Sequence, residues 1–445
     1  MLNGANTVFL IVSSILVFCM TPGLAFFYGG LVSRKNVVNT MLSVFIICGV
    51  AVLLFCFVGY ELCFNGDIGG IIGQVKHLFL SGVDIGSIVN KDAGINLGTY
   101  LIFEMMFALI TPALFVGAIV GRMRFNFLLV FIICWTFVIY YPLVHMVWSP
   151  SGLMFKAGVL DFAGGTVVHI NAGITALILS ICLGPRLKRE TEHYDLPWVL
   201  LGTAILWIGW YGFNAGSALA ADKLALQAFI TTTVATGSAM MAWMLIEMKV
   251  DGKPTLVGVC TGALCGLVGI TPGAGYVTVV GAFFIGIICT CTSFAFITHI
   301  KPKMKFDDPL DAFGCHGVSG IAGSVLTGVF ATKDANSGIV ENGLFYGGGV
   351  HLFLIQIMGT VVTIIFTTVL SFILIAILRR FIPMRVTEEE EIVGLDAGEH
   401  GEAVDSSAGS HEIERYRSEF QGQLAHLMAK IQIEKRRIRI SFWLD

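Results

Sequence analysis

The chain has 445 residues, of which 56% are hydrophobic and only 13% are charged, with a formal net charge of −3. A soluble globular domain carries about 25% charged residues, so this composition, with a mean hydropathy of +0.83, excludes a soluble enzyme. No basic stripe indicates a nucleic-acid partner. The eleven cysteines lie mostly alone in apolar runs and fit neither a disulfide framework nor a zinc site. We predict an all-α membrane protein without a metal or cofactor.

Long apolar runs recur along the chain, and each can cross a hydrocarbon core of roughly 30 Å as a helix. We predict eleven transmembrane helices, near residues 5–31, 38–60, 97–121, 125–147, 162–183, 196–217, 224–246, 255–271, 277–298, 310–331 and 345–378. The first run lacks a preceding basic region, so we expect no cleavable signal peptide. The last run is longer than the core requires and should tilt or protrude. The loop at 61–96 is expected to fold over one mouth.

The lysines and arginines between the helices predict the orientation. If the N-terminus is outside, the outer segments hold only Lys76, Lys91, Lys156, Lys223 and Lys333. The inner segments then hold Arg34, Lys35, Arg122, Arg124, Arg186, Lys188, Arg189, Lys249, Lys253, Lys301, Lys303, Lys305, Arg379, Arg380 and Arg385. Because basic residues favour the cytoplasmic side, we predict a multi-pass protein of the plasma (inner) membrane with its N-terminus outside and its C-terminus in the cytoplasm.

Ionisable residues inside membrane helices are costly and usually line a pathway. Asp161 lies at the outer start of the fifth helix, where a carboxylate favours exposed N–H groups. His169 follows eight residues later, roughly 12 Å deeper. Asp311 and His316 repeat this pattern at the start of the tenth helix, entering from the opposite side. The repetition predicts two five-helix halves of inverted topology plus a long eleventh helix, with the histidines meeting near the midplane.

Other interpretations of these histidines remain open. Each ring of the pair could be satisfied separately by a backbone carbonyl or a neighbouring helix. A metal site is less favoured, because no third or fourth ligand stands at a suitable spacing. His351, near the outer start of the last helix, is interpreted as structural or interfacial.

The segment 161–173 resembles the signature of the ammonium transporter (Amt/Mep/Rh) family. Similar matches, in the family's order, occur at residues 23–31, 35–36, 145–148, 212–217, 270–272 and 311–320. The resemblance runs from about residue 5 to residue 404. It implies an eleven-helix subunit with a pore through each subunit, assembled as a homotrimer.

The resemblance also assigns roles to individual residues. It places Phe107, Trp148 and Ser217 in an outer ammonium recruitment site, and Phe107 and Phe213 in a stacked aromatic gate beneath. It places His169 and His316 in a dry pore as a mutually hydrogen-bonded pair, and makes Asp161 an acid needed for conduction. Imidazole titrates near neutrality, so such a pair can accept or relay a proton.

Two features depart from the family pattern. Residues 149–151 (Ser-Pro-Ser) replace the glycine run that often follows the tryptophan, which leaves the shape of the outer vestibule open. Glu104 lies about 10 Å into the third helix. It could tune cation recruitment, pack at a subunit interface or be hydrated from the vestibule.

After the transmembrane domain at 1–384 the composition becomes charged. Residues 385–405 resemble the family's cytoplasmic regulatory tail, a surface that often pairs with a PII-type protein. Residues 406–445 read as a linker followed by an amphipathic helix, which is either a solvated or membrane-surface helix or a signalling helix joined to an output module.

Two functions fit these patterns. The first is a channel-like ammonium or ammonia transporter. The second is an ammonium sensor built on a transporter scaffold that signals through its C-terminal helix. The sequence leaves open whether ammonia or ammonium is the net species moved.

Overall fold

The computed structural model of the chain describes residues 1–190, 192–404 and 422. Within this part, eleven apolar helices confirm the predicted all-α membrane fold. They are α1 Gly4–Leu31, α2 Arg34–Phe64, α3 Leu97–Ala118, α4 Phe125–Lys156, α5 Gly165–Leu183, α6 Leu196–Gly216, α7 Lys223–Val250, α8 Leu256–Ile270, α9 Val279–Lys303, α10 Phe313–Phe330 and α11 His351–Leu378. Ten are long enough to span a bilayer, and α8, with 15 residues, is the short one.

Because successive spans alternate in direction, the helix ends define two faces. We call the face that carries the chain's beginning the N-terminal face, and the face that carries the segment after α11 the tail face. α1 packs along α6, and α5 packs against α10. These pairs are the first and last helices of the two predicted halves, so equivalent helices meet across the centre of the molecule.

Three helices begin three or more residues later than the sequence predicts. α5 starts at Gly165, after Gly164 adopts a left-handed φ of 114°. α10 starts at Phe313, two residues after Asp311 with a φ of 54°. α11 starts at His351 after left-handed Gly347 and Gly349. Left-handed residues stop a right-handed helix, so in each case the chain turns before it enters the membrane.

The loop between α2 and α3, residues 65–96, begins and ends at the N-terminal face. It carries a two-stranded antiparallel sheet, β1 Ile88–Asn90 with β2 Ile95–Asn96, in which Ile88 is opposite Asn96. The Leu153 amide donates to the Gly70 carbonyl at 2.9 Å. Buried His145 of α4 lies 3.1 Å from an Asp67 carboxylate oxygen. The loop is therefore fixed to the end of α4 close to Trp148.

The segment after α11 folds back onto the tail face as two short helices, α12 Glu388–Val393 and α13 Leu395–His400. Its acidic side chains accept hydrogen bonds from backbone amides at the beginnings of two membrane helices. Asp396 accepts from Val38 and Asn39 of α2 at 3.0 and 2.7 Å. Glu399 accepts from Phe125 of α4 at 2.9 Å. Carboxylates at helix N-termini satisfy unpaired N–H groups, so the tail is bound through specific caps. The predicted linker and helix at 406–445 lie outside the described residues, apart from Gly422.

Gly394 permits this docking, and its substitution provides a test. Its φ is 106°, and a Cβ there would lie 2.5 Å from the Lys35 Cβ. We expect Gly394→Ala to loosen the tail by about 1–2 kcal/mol and to raise the rate of limited proteolysis within 385–404. Gly398→Ala is the matched control, because its nearest contact would be an ordinary 3.4 Å. Equal cleavage of the two variants would refute the close fit.

Candidate functional site

Three aromatic side chains form a cluster near the N-terminal face. The Phe107 and Phe213 rings lie 4.4 Å apart at 32°. The Trp148 indole meets Phe107 edge-on at 5.5 Å, and its Nε1 donates to the Asp161 carbonyl at 3.1 Å. Phe107 and Phe213 are buried, whereas Trp148 is partly exposed. α3, α4 and α6 thus converge here and give a partly exposed indole beside two buried rings that contact each other at a tilt.

Ser217 follows the last residue of α6, one turn beyond Phe213. Its hydroxyl donates to the Phe213 carbonyl at 2.8 Å. A hydroxyl has one donor hydrogen and two acceptor lone pairs, so the Ser217 oxygen retains acceptor capacity. The side chain is only partly buried.

The Asp161 carboxylate organises the beginning of α5. It accepts the amides of Gly164, Gly165 and Thr166 at 2.8, 2.5 and 2.9 Å and that of Val167 at 3.2 Å, and the Thr166 hydroxyl also donates to it. The predicted contact of Asp161 with exposed N–H groups is present, with more donors than a single cap provides. The carboxylate therefore fixes the turn that leads to His169.

His169 and His316 meet at the centre of the protein. Their ring centroids are 5.4 Å apart and the ring planes differ by 11°. Both residues are buried. Each lies in a π-helical first turn of its helix, Gly165–Ile170 in α5 and Phe313–Val318 in α10. The two turns are equivalent in the predicted halves, and they bring both imidazoles to one place.

The surroundings of the pair differ in two ways from the sequence-based picture. The hydrogen bonds of the described residues include none between the two rings, and neither nitrogen of His169 has a protein partner. The Trp210 ring, which was missed, lies nearly parallel to His169 at 5.3 Å. Its position three residues before Phe213 on α6 was the available signal, because residues at i and i+3 share a helix face.

Small residues allow the two histidine-bearing helices to approach. A Cβ on Gly173 of α5 would lie 2.3 Å from the Gly317 Cα of α10. Such a distance admits no side chain. The glycines that surround the histidines in the sequence are thus required where α5 and α10 cross.

At the tail face, a different aspartate from the expected one caps α10. Asp308 accepts the amides of Ala312 and Phe313 at 3.1 and 2.8 Å. Asp311 instead receives the Lys301 ammonium at 2.5 Å. We expected Asp311 to lie at the start of the helix that carries His316, as Asp161 does for the helix that carries His169. That expectation is wrong, because Asp308 accepts the first amides of α10. Asp311 has a left-handed backbone conformation and its carboxylate is paired with Lys301, so Asp308 provides the cap.

A cavity of about 180 Å³ opens on this face. Its lining includes Cys315, which directly precedes His316 in the chain, and Asp311, together with Arg186 and with Glu391 of the tail. The cavity lies on the side of the histidine pair opposite to the aromatic cluster.

Asp307 beside this cavity provides a test of pH dependence. Burial alone would raise the pKa of its carboxyl, but hydrogen bonds from Arg186, at 2.8 Å from Nε and 3.0 Å from the amide, lower that pKa to about 2. Because the pKa is lower in the folded state, the ionised carboxylate stabilises the protein at pH values above its ordinary pKa of 3.8. This stabilisation is lost as the pH falls through the folded-state pKa of about 2.

We therefore expect Asp307→Asn to lower the free energy of unfolding near pH 7 by roughly 1 kcal/mol, after allowance for solvent screening. In chemical unfolding of the detergent-solubilised protein, the difference from wild type should shrink below pH 4 and vanish near pH 2. Exposed Asp334, changed to Asn, is the control and should show no such trend. A difference that is constant with pH would contradict the ion-pair explanation.

Two further residues lie away from the central pair. His351 is exposed and forms an ion pair with Glu341, in agreement with a structural position. Glu104 hydrogen-bonds the Tyr100 side chain one turn earlier and lies close to Tyr60.

The chain is similar along most of its length to proteins of one known family. A profile of the Ammonium Transporter Family matches residues 8–404. An ammonium transporter of Aquifex aeolicus is 46% identical over 403 residues, covering 90% of this chain and 93% of the relative. An ammonium transporter of Bacillus subtilis is 41% identical, covering 89% and 97%.

Solved structures agree with the sequence relatives. Candida albicans Mep2 superposes with a TM-score of 0.80 at 30% identity, covering 87% of this chain and 88% of Mep2. A structure described as "Sensor Amt Protein" gives a TM-score of 0.81 at 28% identity, covering 89% and 98%.

The fold and these relatives define an integral membrane protein of the transporter and channel class, which is not a class of enzymes. The chain belongs to the ammonium transporter family, as the resemblance in its motifs indicated.

Proposed function

We propose that the protein conducts ammonia or ammonium across the plasma membrane along a line through the aromatic cluster, the histidine pair and the tail-face cavity. The observation that carries this proposal is the meeting of His169 and His316, two buried rings from opposing halves, directly below Phe213. The Phe213 ring centroid is 6.0 Å from that of His169. This distance supports a path from the aromatic cluster, proposed as the gate, past the histidine pair to the cavity.

Trp148 and Ser217 have the chemistry to recruit a cation at the N-terminal end of this line. A cation over the Trp148 face gains about 1–2 kcal/mol when partly desolvated. The Ser217 oxygen, with its donor hydrogen already committed to Phe213, can accept an ammonium N–H. Phe107, in edge contact with Trp148, lines the side of this recruitment site that faces the membrane centre.

The buried stretch below the gate favours a neutral species. An ion that leaves water for an apolar passage loses its hydration, which is expensive for ammonium and potassium alike. Ammonium differs from potassium in that it can give up a proton and cross as ammonia. The unpartnered nitrogens of His169 can accept an N–H or donate one, depending on the tautomer. A buried polar atom without a partner is costly, and a passing ammonia molecule would satisfy it.

The orientation and assembly belong to the same proposal. The excess of lysine and arginine at the tail face supports a cytoplasmic tail and an external N-terminus. We propose a transmembrane domain at 1–384, a regulatory tail at 385–405 and a homotrimeric assembly. A PII-type protein is the proposed partner of the tail face.

A sensing role is the second candidate, and the docked tail favours it. Asp396 and Glu399 of α13 cap the beginnings of α2 and α4, so a shift of these membrane helices would weaken the caps and release the tail. The likeness to a structure described as a sensor supports this alternative. The extension at 406–445 would then carry the signal.

Purified full-length protein in liposomes distinguishes the two functions. A transporter should give a current or an internal pH change when an ammonium gradient is applied, and none with an equal potassium gradient. A sensor should give little flux, but ammonium should change the protease protection of 385–404. Flux no greater than that of empty liposomes, with unchanged protection, would refute both candidates.

A further inference from the structure

The segment at 73–79 runs back along α2 instead of crossing the N-terminal face. The Gly73 amide donates to the Leu62 carbonyl at 2.7 Å, and the Phe79 amide donates to the Phe57 carbonyl at 2.9 Å. Between them, the Lys76 amide donates to Glu61 Oε2 at 2.9 Å. The segment thus descends from the level of Leu62 to that of Phe57, five residues or about 7.5 Å along the helix.

The length of α2 places Phe57 relative to the membrane. The helix has 31 residues, about 46 Å, whereas the hydrocarbon core is about 30 Å thick. Its tail-face end carries Arg34 and Lys35, and the Lys35 ammonium is held 2.9 Å from Glu190 at the surface. Twenty residues counted from Val37, about 30 Å, end at Cys56. Phe57 therefore lies at the far boundary of the hydrocarbon, and Phe79 lies beside it.

The lateral position of the segment points to lipid. Leu53 of α2 is 67% exposed and shares a helix face with Phe57, four residues later. The Phe79 ring lies 4.9 Å from that of Phe57. The exposed apolar surface of α2 at Leu53 therefore continues through Phe57 to Phe79 on the descending segment.

The local backbone turns two apolar side chains outward. Phe79 and Leu80 both adopt left-handed φ values, 52° and 55°, which bulky residues rarely do. As a result Leu80 packs against the core, whereas Leu78 and Phe79 stay 50% and 68% exposed. Lys76 is exposed three residues before Phe79.

We infer that residues 76–80 form an interfacial membrane anchor, in which Leu78 and Phe79 enter the lipid at the glycerol level and Lys76 contacts phosphate headgroups. An aromatic side chain at the hydrocarbon boundary with a nearby lysine is typical of residues that fix a protein's depth in a bilayer. The partner is the lipid of the leaflet on the N-terminal face. A neighbouring copy of the chain on the same surface is the competing occupant.

The test replaces Phe79 with trifluoromethylphenylalanine in the full-length protein, reconstituted in lipid nanodiscs. Fluorine NMR relaxation is then measured with two paramagnetic probes, a lipid spin-labelled near the glycerol and a water-soluble gadolinium chelate. We expect several-fold stronger enhancement by the lipid probe than by the chelate. The same amino acid at Val340, the 88% exposed residue of another loop on this face, is the matched control and should respond to the chelate.

Stronger relaxation of position 79 by the aqueous chelate would overturn the anchor, because the segment would then be in water. Relaxation by neither probe would also overturn it, because a neighbouring subunit would then cover the segment. The substitution keeps an aromatic ring of similar shape, and unchanged thermal unfolding of the labelled protein confirms that the fold is retained.

Discussion

Replacing Asp161 with alanine should destabilise the protein by about 3 kcal/mol or more. Four backbone amides and the Thr166 hydroxyl converge on this carboxylate, and truncation leaves these donors unpaired in a buried turn. Conduction should fall with stability, because the turn positions His169. Asp161→Asn should have an intermediate effect, since its remaining oxygen still accepts part of the set. Thermal unfolding in detergent and liposome flux measure the two effects.

Asp92 is the matched control for this change. It is an exposed aspartate on the same face, and Asp92→Ala should alter stability by no more than about 0.5 kcal/mol. An Asp161→Ala protein that unfolds at the wild-type temperature and conducts normally would show that the carboxylate does not organise the turn.

Replacing Gly173 with alanine should reduce flux on the order of tenfold and stability by about 1–3 kcal/mol. The added Cβ would lie 2.3 Å from the Gly317 Cα, so α5 and α10 must move apart. The two imidazoles lie on these same helices, close to the crossing. Their separation should therefore change more than any other feature of the site. Flux and unfolding are measured on the same preparation.

Gly237→Ala and Gly49→Ala control for the effect of replacing a glycine by alanine in a membrane helix without a steric conflict. Both are in membrane helices, and a Cβ at either position would meet nothing within 4 Å. Their alanine variants should conduct as wild type and be slightly more stable, because alanine is the better helix former. If Gly173→Ala behaves like these controls, the close crossing is not required for conduction.

The sequence predicted the eleven helices because lipid-facing segments are apolar around their whole circumference and show as long runs. It also predicted that His169 and His316 approach each other, because the two motifs repeat at equivalent positions in opposite directions. Both predictions depend on patterns that extend over many residues, and such patterns can be read from a single sequence.

The sequence failed where the outcome depended on local backbone geometry. Asp308 and Asp311 are both acids before the same helix, and only the left-handed turn at Asp311 decides which one caps it. The mutual hydrogen bond of the histidines, implied by resemblance, depends on ring orientation, which no motif specifies. Trp210 was missed because a tryptophan in an apolar helix resembles any other core residue.

The docked tail was predicted as a region but its contacts were not. The acidic composition after Pro383 indicated a surface segment. That Asp396 would bind amides at the beginning of α2 follows only from the long-range fold, in which these residues are more than 350 positions apart.

The most direct test of the proposed pathway compares ammonium-driven current in liposomes that contain wild type, His169→Ala, His316→Ala or the double variant. His351→Ala, which alters an exposed histidine, is the matched control. We expect each pore variant to change the current or the preference for ammonium over potassium by about tenfold, and the double variant to differ little from the stronger single one, because residues in contact act as a unit. Wild-type current and selectivity in both single variants would contradict a pathway through the histidine pair.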